Sequence, residues 1–337
     1  MKKVFGAAMV LTGSFIGAGF ATGRELVQYF GIFGNFGFLG VFISCVILGL
    51  FTYCTAINIS VMGHRKYIKS LCSYSWVNIM LNCYMAVIFA TMLSAFGESL
   101  NTGFGISKIY GVVLMDIISV LIICFGVDGM LKFNTFVTPA ILIGIFWLFA
   151  ASFQKEVFAY NNFVSSSVVY TSYNIVSLPF VMVGMEDVFE NKKSAFWISL
   201  VFAVSILVPA LCMLWVLKGV NINAPIPLLD VVSQKYNLIF LVVLALAMLT
   251  TAVSNGYGFV NSVKYNKMIW LILLGVFGFF FAFFDFGFIV KYCYGLFGYG
   301  GIYILLKNFH NFIKIIEKRR KAKKKRYNHI VNPNNRL

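Results

Sequence analysis

Acidic residues number only 11 in a chain of 337, and charged residues of both signs together make up 11% of the sequence. About a quarter of the residues of a soluble domain are charged, so no stretch here has the composition to fold as one. Histidine is rarer still: His64, His310 and His329 all fall in polar joints or in the C-terminal stretch. The chain has no HExxH, no nucleophile elbow and no phosphate-cradling GxxxxGK[ST]. The groups that acid–base, nucleophilic or zinc chemistry needs are therefore not assembled in a recognisable pattern, which argues against an enzyme and implies no cofactor. Seven cysteines (Cys45, Cys54, Cys72, Cys83, Cys124, Cys212 and Cys293) lie mostly inside apolar runs, with neither metal-ligand spacing nor a paired framework. They read as small core residues.

Apolar residues, by contrast, make up 60% of the chain, and the mean hydropathy is +0.88. This is the composition of an all-α integral membrane protein. Apolar runs long enough to cross a bilayer as helices recur at 4–30, 36–62, 74–100, 107–126, 133–153, 164–189, 194–218, 229–258, 267–284 and 286–309. These are spans 1 to 10. Lys2 and Lys3 before an apolar stretch could head a secretory signal, but the many spans that follow favour a first membrane helix. Most of the 37 phenylalanines read as lipid-facing or packing residues, and "FGFFFAFFDFGF" is not a cofactor box.

Ten spans put both termini on one side, and the placement of basic residues chooses which. With both ends cytoplasmic, the inward joints hold Arg65, Lys66, Lys69, Lys132, Lys192, Lys193, Lys264 and Lys267, whereas the outward ones hold isolated lysines such as Lys108, Lys155 and Lys218. That is the positive-inside pattern of a multi-pass protein, here expected in a bacterial-type inner (plasma) membrane. Eleven of the 27 Lys and Arg residues lie at or beyond Lys307. Residues 311–337 therefore read as a disordered basic cytoplasmic tail that touches anionic lipid headgroups. No aromatic-interleaved groove accompanies the charge, so nucleic acid is not the expected partner.

Five spans precede the polar joint Gln154 to Asn162 and five follow, and an odd number per half makes the halves inverted relative to each other. One transmembrane domain, 1–310, with repeat halves of about 1–155 and 163–310, follows from that count. The leading span of each half carries a helix breaker. Span 1 contains "GSFIGAGFATGRE" (Gly13 to Glu25), with four glycines; span 6 contains "YTSYNIVSLPFVMVGMED" (Tyr170 to Asp187), with Pro179 in its middle. In hydrocarbon an unpaired backbone group costs several kcal/mol, so unwound backbone survives only where a ligand, ion or cavity satisfies it. Close packing through small residues is the plainer explanation of Gly13 and Gly17, but it does not account for a proline at the matching place in the second half.

The opening motif resembles that of the YkvI-type bacterial membrane proteins, and ten spans with broken spans 1 and 6 are similar to the amino acid–polyamine–organocation superfamily with the LeuT fold. The resemblance covers residues 1 to 310. It implies a 5+5 inverted repeat, with Gly17, Ala18 and Gly19 unwound to receive a polar head of the substrate, and with Ser172, Tyr173 and Asn174 lining the same cavity. It further implies a sodium site made by the carbonyls of Gly13 and Ile16 and the hydroxyls of Thr250 and Thr251. Read from the residues alone, a membrane threonine equally well bonds its own helix one turn back. Span 5 offers no lysine in its middle to stand in for the cation, which favours Na+ over H+ as coupling ion. Of the intramembrane charges, Arg24 and Glu25 read as a gate or a self-satisfied pair, Glu98 as a coupling acid or a solvated helix end, and Asp116 and Lys291 as further candidates. Glu186, Asp187 and Glu190 read as an interfacial cluster with Lys192 and Lys193. The expected function is secondary transport of a small polar solute, amino-acid-like, by alternating access. A non-transporting nutrient receptor of the same fold is the alternative. Oligomeric partners are not legible.

Overall fold

The computed structural model describes residues 2–150, 163–189, 191–217, 220, 226–232, 236–263, 266–284 and 286–331. The joint Gln154 to Asn162 lies outside them. Every expected span appears as helix, and no strand occurs among the described residues. Span 1 is broken twice, into α1 (Lys2–Phe15), α2 (Ala18–Ala21) and α3 (Arg24–Tyr29). Spans 2 and 3 are the continuous helices α4 (Asn35–Met62) and α6 (Ser75–Phe104), with α5 (His64–Leu71) in the joint between them. Spans 4 and 5 are α7 (Lys108–Cys124) and α8 (Gly126–Ala150).

The second half repeats the plan. Span 6 is broken into α9 (Phe163–Asn174) and α10 (Leu178–Val183), and spans 7, 8 and 9 are α11 (Lys192–Val216), α12 (Asn237–Ser262) and α13 (Lys267–Phe281). Span 10 begins as α14 (Phe286–Phe288), passes through a π-helical turn at Ile289–Cys293 and continues as α15 (Tyr294–Val331). Five helices among the described residues are long and apolar enough to cross a membrane unaided: α4, α6, most of α8, α11 and α12. Spans 1 and 6 fall short because they are broken. Span 8 starts later than the apolar run because Pro227 opens a 3₁₀ turn, Pro227–Asp230, ahead of it.

The inverted repeat is visible in which helices touch. Span 1 packs on spans 5 and 7, and span 6 packs on spans 10 and 2; span 3 packs on span 9, and span 8 on span 4; span 2 meets span 10, and span 7 meets span 5. Adding five to each number, modulo ten, turns one set of neighbours into the other. Spans 3 and 8 pair extensively and are buried over 67% and 61% of their apolar windows, against 44% for spans 2 and 7, so they form the centre. The phenylalanines of span 9 and the joint after it, such as Phe280, Phe283 and Phe284, are exposed, as lipid-facing residues should be.

Span 10 is tied to span 2 by a buried polar knot. The Asn58 amide donates to Asn308 Oδ1 (2.8 Å) and to its backbone oxygen (3.0 Å), the Tyr67 hydroxyl donates to Asn308 Oδ1 (2.9 Å), and the Asn308 amide donates to Thr55 Oγ1 (3.0 Å). All four residues are fully buried, where each unmade bond carries the desolvation cost of the group. Beyond this knot the tail departs from expectation. α15 continues without interruption to Val331, so the basic stretch is helical rather than disordered. Lys, Arg, Glu and Ala are good helix formers, and extending an existing helix avoids the cost of nucleating a new one.

Candidate functional site

The first break of span 1 falls at Ile16 and Gly17 rather than at Gly17 to Gly19. Gly17 is extended (φ −93°, ψ −168°), and its N–H donates to Phe15 O (2.8 Å) instead of continuing the helix to Gly13 O. Ala18 and Gly19 are already back in the four-residue helix α2. The Ala18 N–H points at Met92 Sδ, 3.3 Å away on span 3. The carbonyls set free by the break are taken up by span 8: the Thr251 hydroxyl lies 3.0 Å from Gly13 O and 3.1 Å from Ile16 O, poised to donate to either. Thr250 behaves otherwise, donating to Ala247 O of its own helix (2.9 Å). Three of the four expected oxygens thus come together within hydrogen-bonding distance, and the Thr250 hydroxyl turns to its own helix.

A second break, at Thr22 and Gly23, was not legible in the sequence. Gly23 adopts φ +78°, a left-handed conformation that glycine takes without the steric cost a Cβ brings. Thr22 O accepts from Leu228 N–H in the loop before span 8 (3.0 Å), and the Arg24 N–H donates to Thr22 Oγ1 (3.3 Å). The turn reverses the chain enough to fold Glu25 back under α2. A Cβ placed on Gly19 would sit only 2.5 Å from both Cγ and Cδ of Glu25, so the missing side chain of Gly19 is the space that the carboxylate stem occupies.

Glu25 is 4% exposed, its Oε2 has no hydrogen-bond partner among the described residues, and it lines a cavity between the two broken spans and spans 3, 8 and 10. The cavity is about 20 Å³, space for one water molecule, so admitting a larger guest requires side chains or helices to move. Of the residues expected at the substrate cavity, Gly17, Tyr173 and Asn174 line it and Ala18, Gly19 and Ser172 do not; Thr251, expected as an ion ligand, lines it as well. Ser172 instead packs its backbone against Gly301 of span 10. Tyr84, Met92, Asn255, Ser177 and Tyr294 line the cavity without having been singled out. Of these only Asn255, an amide within an apolar helix, carried a signal of its own.

Glu98, Glu186 and Asp116 lie elsewhere, and Glu190 and the side chain of Lys291 lie outside what the structure describes. Glu98 is 3.7 Å from Lys108 at a partly exposed helix end and does not line the cavity. Glu186 meets the ring and backbone N–H of His64 (2.7 and 3.2 Å), and not the lysines after it. Asp116 faces Gly275 of span 9, away from the cavity. No group of three or more His, Cys, Asp or Glu residues that could hold a metal ion occurs among the described residues.

No family model matches the chain. It is 33% identical over 159 residues to "Uncharacterized membrane protein YkvI" of Bacillus subtilis strain 168, covering 43% of this chain and 44% of that protein. It is 23% identical over 322 residues to "Uncharacterized protein YyaD" of the same strain, covering 88% of this chain and 94% of that one. Among solved structures it resembles a Na+-coupled sialic acid symporter in a substrate-bound outward-open state (TM-score 0.67, 12% identity, 90% of this chain and 78% of that chain). It also resembles Mhp1, a nucleobase-cation-symport-1 family transporter in a closed conformation (TM-score 0.55, 17% identity, 82% and 70%). A manganese transporter of Eremococcus coleocola gives a TM-score of 0.58 at 12% identity (91% and 76%). The chain is an all-α, multi-pass membrane protein with the LeuT fold of these transporters.

Proposed function

We propose that this protein is a secondary transporter of a small polar, amino-acid-like solute, coupled to Na+ and working by alternating access. One observation carries the reading: the cavity and the oxygen cluster share the same break, so that Gly17 lines the first while Ile16 O, one residue earlier, belongs to the second. A cation seated among Gly13 O, Ile16 O and Thr251 Oγ1 would satisfy the carbonyls that the break released and hold span 1 against span 8. These neutral oxygens suit Na+, which supplies charge without demanding a carboxylate ligand. The hydroxyl of Thr250, rotated off Ala247 O, is the fourth candidate ligand. Cation binding would then fix the wall of the cavity and raise its affinity for the solute.

The membrane domain is residues 1–310, in a bacterial-type plasma membrane with both ends cytoplasmic, and the basic helix beyond it meets anionic lipid headgroups. The test is uptake into proteoliposomes together with thermal stability of the detergent-purified chain in Na+ against K+. A solute that stabilises only in Na+ and is concentrated down a Na+ gradient bears the reading out. A solute that binds without any flux instead favours the receptor of the same fold.

A further inference from the structure

Spans 3, 8 and 9 do not close against one another at one end of the bundle. They leave a groove of about 510 Å³, lined on span 3 by Asn78, Asn82 and Val87 and on span 9 by Trp270, Leu273 and Phe277. That is the size of a small-molecule site. Its walls face outward, with Trp270, Leu273 and Phe277 exposed over 39%, 49% and 40% of their surface, and none of its residues lines the cavity between the broken spans.

The groove has a polar end and an apolar end. Asn78 and Asn82 lie on the first turns of span 3, where Ser262, the last residue of span 8, donates its hydroxyl to Asn82 Oδ1 and the Asn82 amide donates to Asn78 O (2.8 Å). Deeper in, Val87, Leu273 and Phe277 offer only hydrocarbon. Span 3 advances about 13 Å from Asn78 to Val87, and span 9 about 10 Å from Trp270 to Phe277. Half of a hydrocarbon core is about 15 Å, so the groove runs through one leaflet from its interface towards the midplane. Trp270 lies at the interfacial end, where an amphipathic ring belongs.

Charge at the polar end has one sign. The joint between spans 8 and 9 reads Val263-Lys264-Tyr265-Asn266-Lys267, two lysines and no acid, and no Asp or Glu is among the described residues that line the groove. Lys267 opens span 9, and Trp270, one turn on, is already in the groove. The ammonium donates to Asn261 Oδ1 of span 8 (2.9 Å), which holds it beside the joint and leaves two of its three N–H donors for an anion. Lys267 and Asn261 also line a smaller cleft of about 240 Å³ on the other flank of span 9, so there is room for a headgroup next to the ammonium.

We infer that this groove binds an anionic glycerophospholipid, with the phosphate on the Lys267 ammonium and an acyl chain along Val87, Leu273 and Phe277. The leaflet is the one that meets the joint between spans 8 and 9, which is the inner leaflet in the orientation proposed above. A hydrocarbon without a headgroup makes no use of Lys267, and a soluble phosphate makes no use of the groove. The two ends together select an amphiphile.

The test is a thermal-shift titration of the delipidated full-length chain in detergent with phosphatidylglycerol, with phosphatidylcholine of the same acyl chains, and with glycerol 3-phosphate. Phosphatidylglycerol should stabilise saturably and bind about fivefold tighter than phosphatidylcholine, the worth of one lysine at an anionic headgroup. Glycerol 3-phosphate at the same concentrations should not stabilise. Lys267→Gln, a change at an exposed residue, should remove the fivefold preference and leave phosphatidylcholine binding unchanged. Ala86→Trp puts an indole into the groove and should weaken both lipids about tenfold or more. If that variant does not fold, Lys267→Gln decides alone. Equal affinity for the two lipids overturns the inference. Stabilisation by glycerol 3-phosphate that matches phosphatidylglycerol also overturns it, by making this a site for a soluble phosphate. A preference that survives in Lys267→Gln belongs to the basic stretch beyond Lys307 and overturns it too, as does undiminished lipid binding in a folded Ala86→Trp. None of these readouts uses Na+ or a transported solute, so the transport reading stands or falls separately.

Discussion

Thr250 and Thr251 are adjacent, chemically identical and equally buried in practice, yet the structure gives them different work, which makes the pair a sharp test. Thr251→Val keeps the shape and removes the side-chain donor that, among the described residues, Gly13 O and Ile16 O share, at 3.0 and 3.1 Å. Without a cation those buried carbonyls are left unsatisfied, at a cost of about 1–3 kcal/mol. With a cation, the loss of one oxygen from the cluster should cost about 1.5–3 kcal/mol of binding, by analogy with hydrogen bonds to charged groups, or roughly ten- to a hundredfold more Na+ for half-saturation. Thr250→Val removes a bond within one helix, from Thr250 to Ala247 O, and should leave stability within about 0.5 kcal/mol of wild type. Na+ titrations of the melting temperature, repeated for Na+-driven uptake, read both quantities. Equal Na+ dependence in wild type and Thr251→Val would refute the reasoning, and a Thr250→Val loss as large as that of Thr251→Val would show that the second hydroxyl rotates to join the site.

Four further outcomes follow from the geometry. Gly17→Leu should abolish uptake with membrane insertion intact, because a Cβ at this position already lies 3.3 Å from Thr251 Cγ2 and 3.4 Å from Met92 Cε, and the rest of the side chain would enter a cavity of about 20 Å³; normal uptake counts against the site. Gly19→Ala should displace Glu25 from the cavity wall and lower solute affinity about tenfold or more, read as the solute's shift of the melting temperature. Asn308→Ala strands Asn58 and Tyr67 in the core and should cost about 2–4 kcal/mol, seen as a melting temperature lower by several degrees. Glu186→Gln breaks a pair whose side chains are 42% and 37% exposed, and it should change stability by less than about 1 kcal/mol.

What the sequence revealed and what it hid have a common cause. Long apolar runs report spans because the bilayer demands length and hydrophobicity directly, and Pro179 reports the break of span 6 because it lacks a donor wherever it sits. The break of span 1 was placed within two residues from its glycines alone. The inward turn of Glu25 was hidden, since it hangs on the left-handed φ of Gly23 and on the absence of a side chain at Gly19, and neither can be told from an ordinary small-residue face by reading residue types. Adjacency to Arg24 favoured a gate or a self-satisfied pair. The lining residues of spans 3 and 10 were hidden for a different reason: Tyr84, Met92 and Tyr294 are the same residue types that fill the surrounding core, and only the three-dimensional arrangement distinguishes a wall from a filling.

The set of neighbours that recurs at an offset of five spans bears on energy as well as on descent. In the alternating-access cycle proposed above, an exchange of conformation between halves that share these contacts would cost one half about what it returned to the other, and would place the two arrangements close in free energy. Near-degeneracy of this kind means that a preference of a few kcal/mol, well within reach of one bound cation or one neutralised carboxylate, is enough to move most of the population from one arrangement to its mirror.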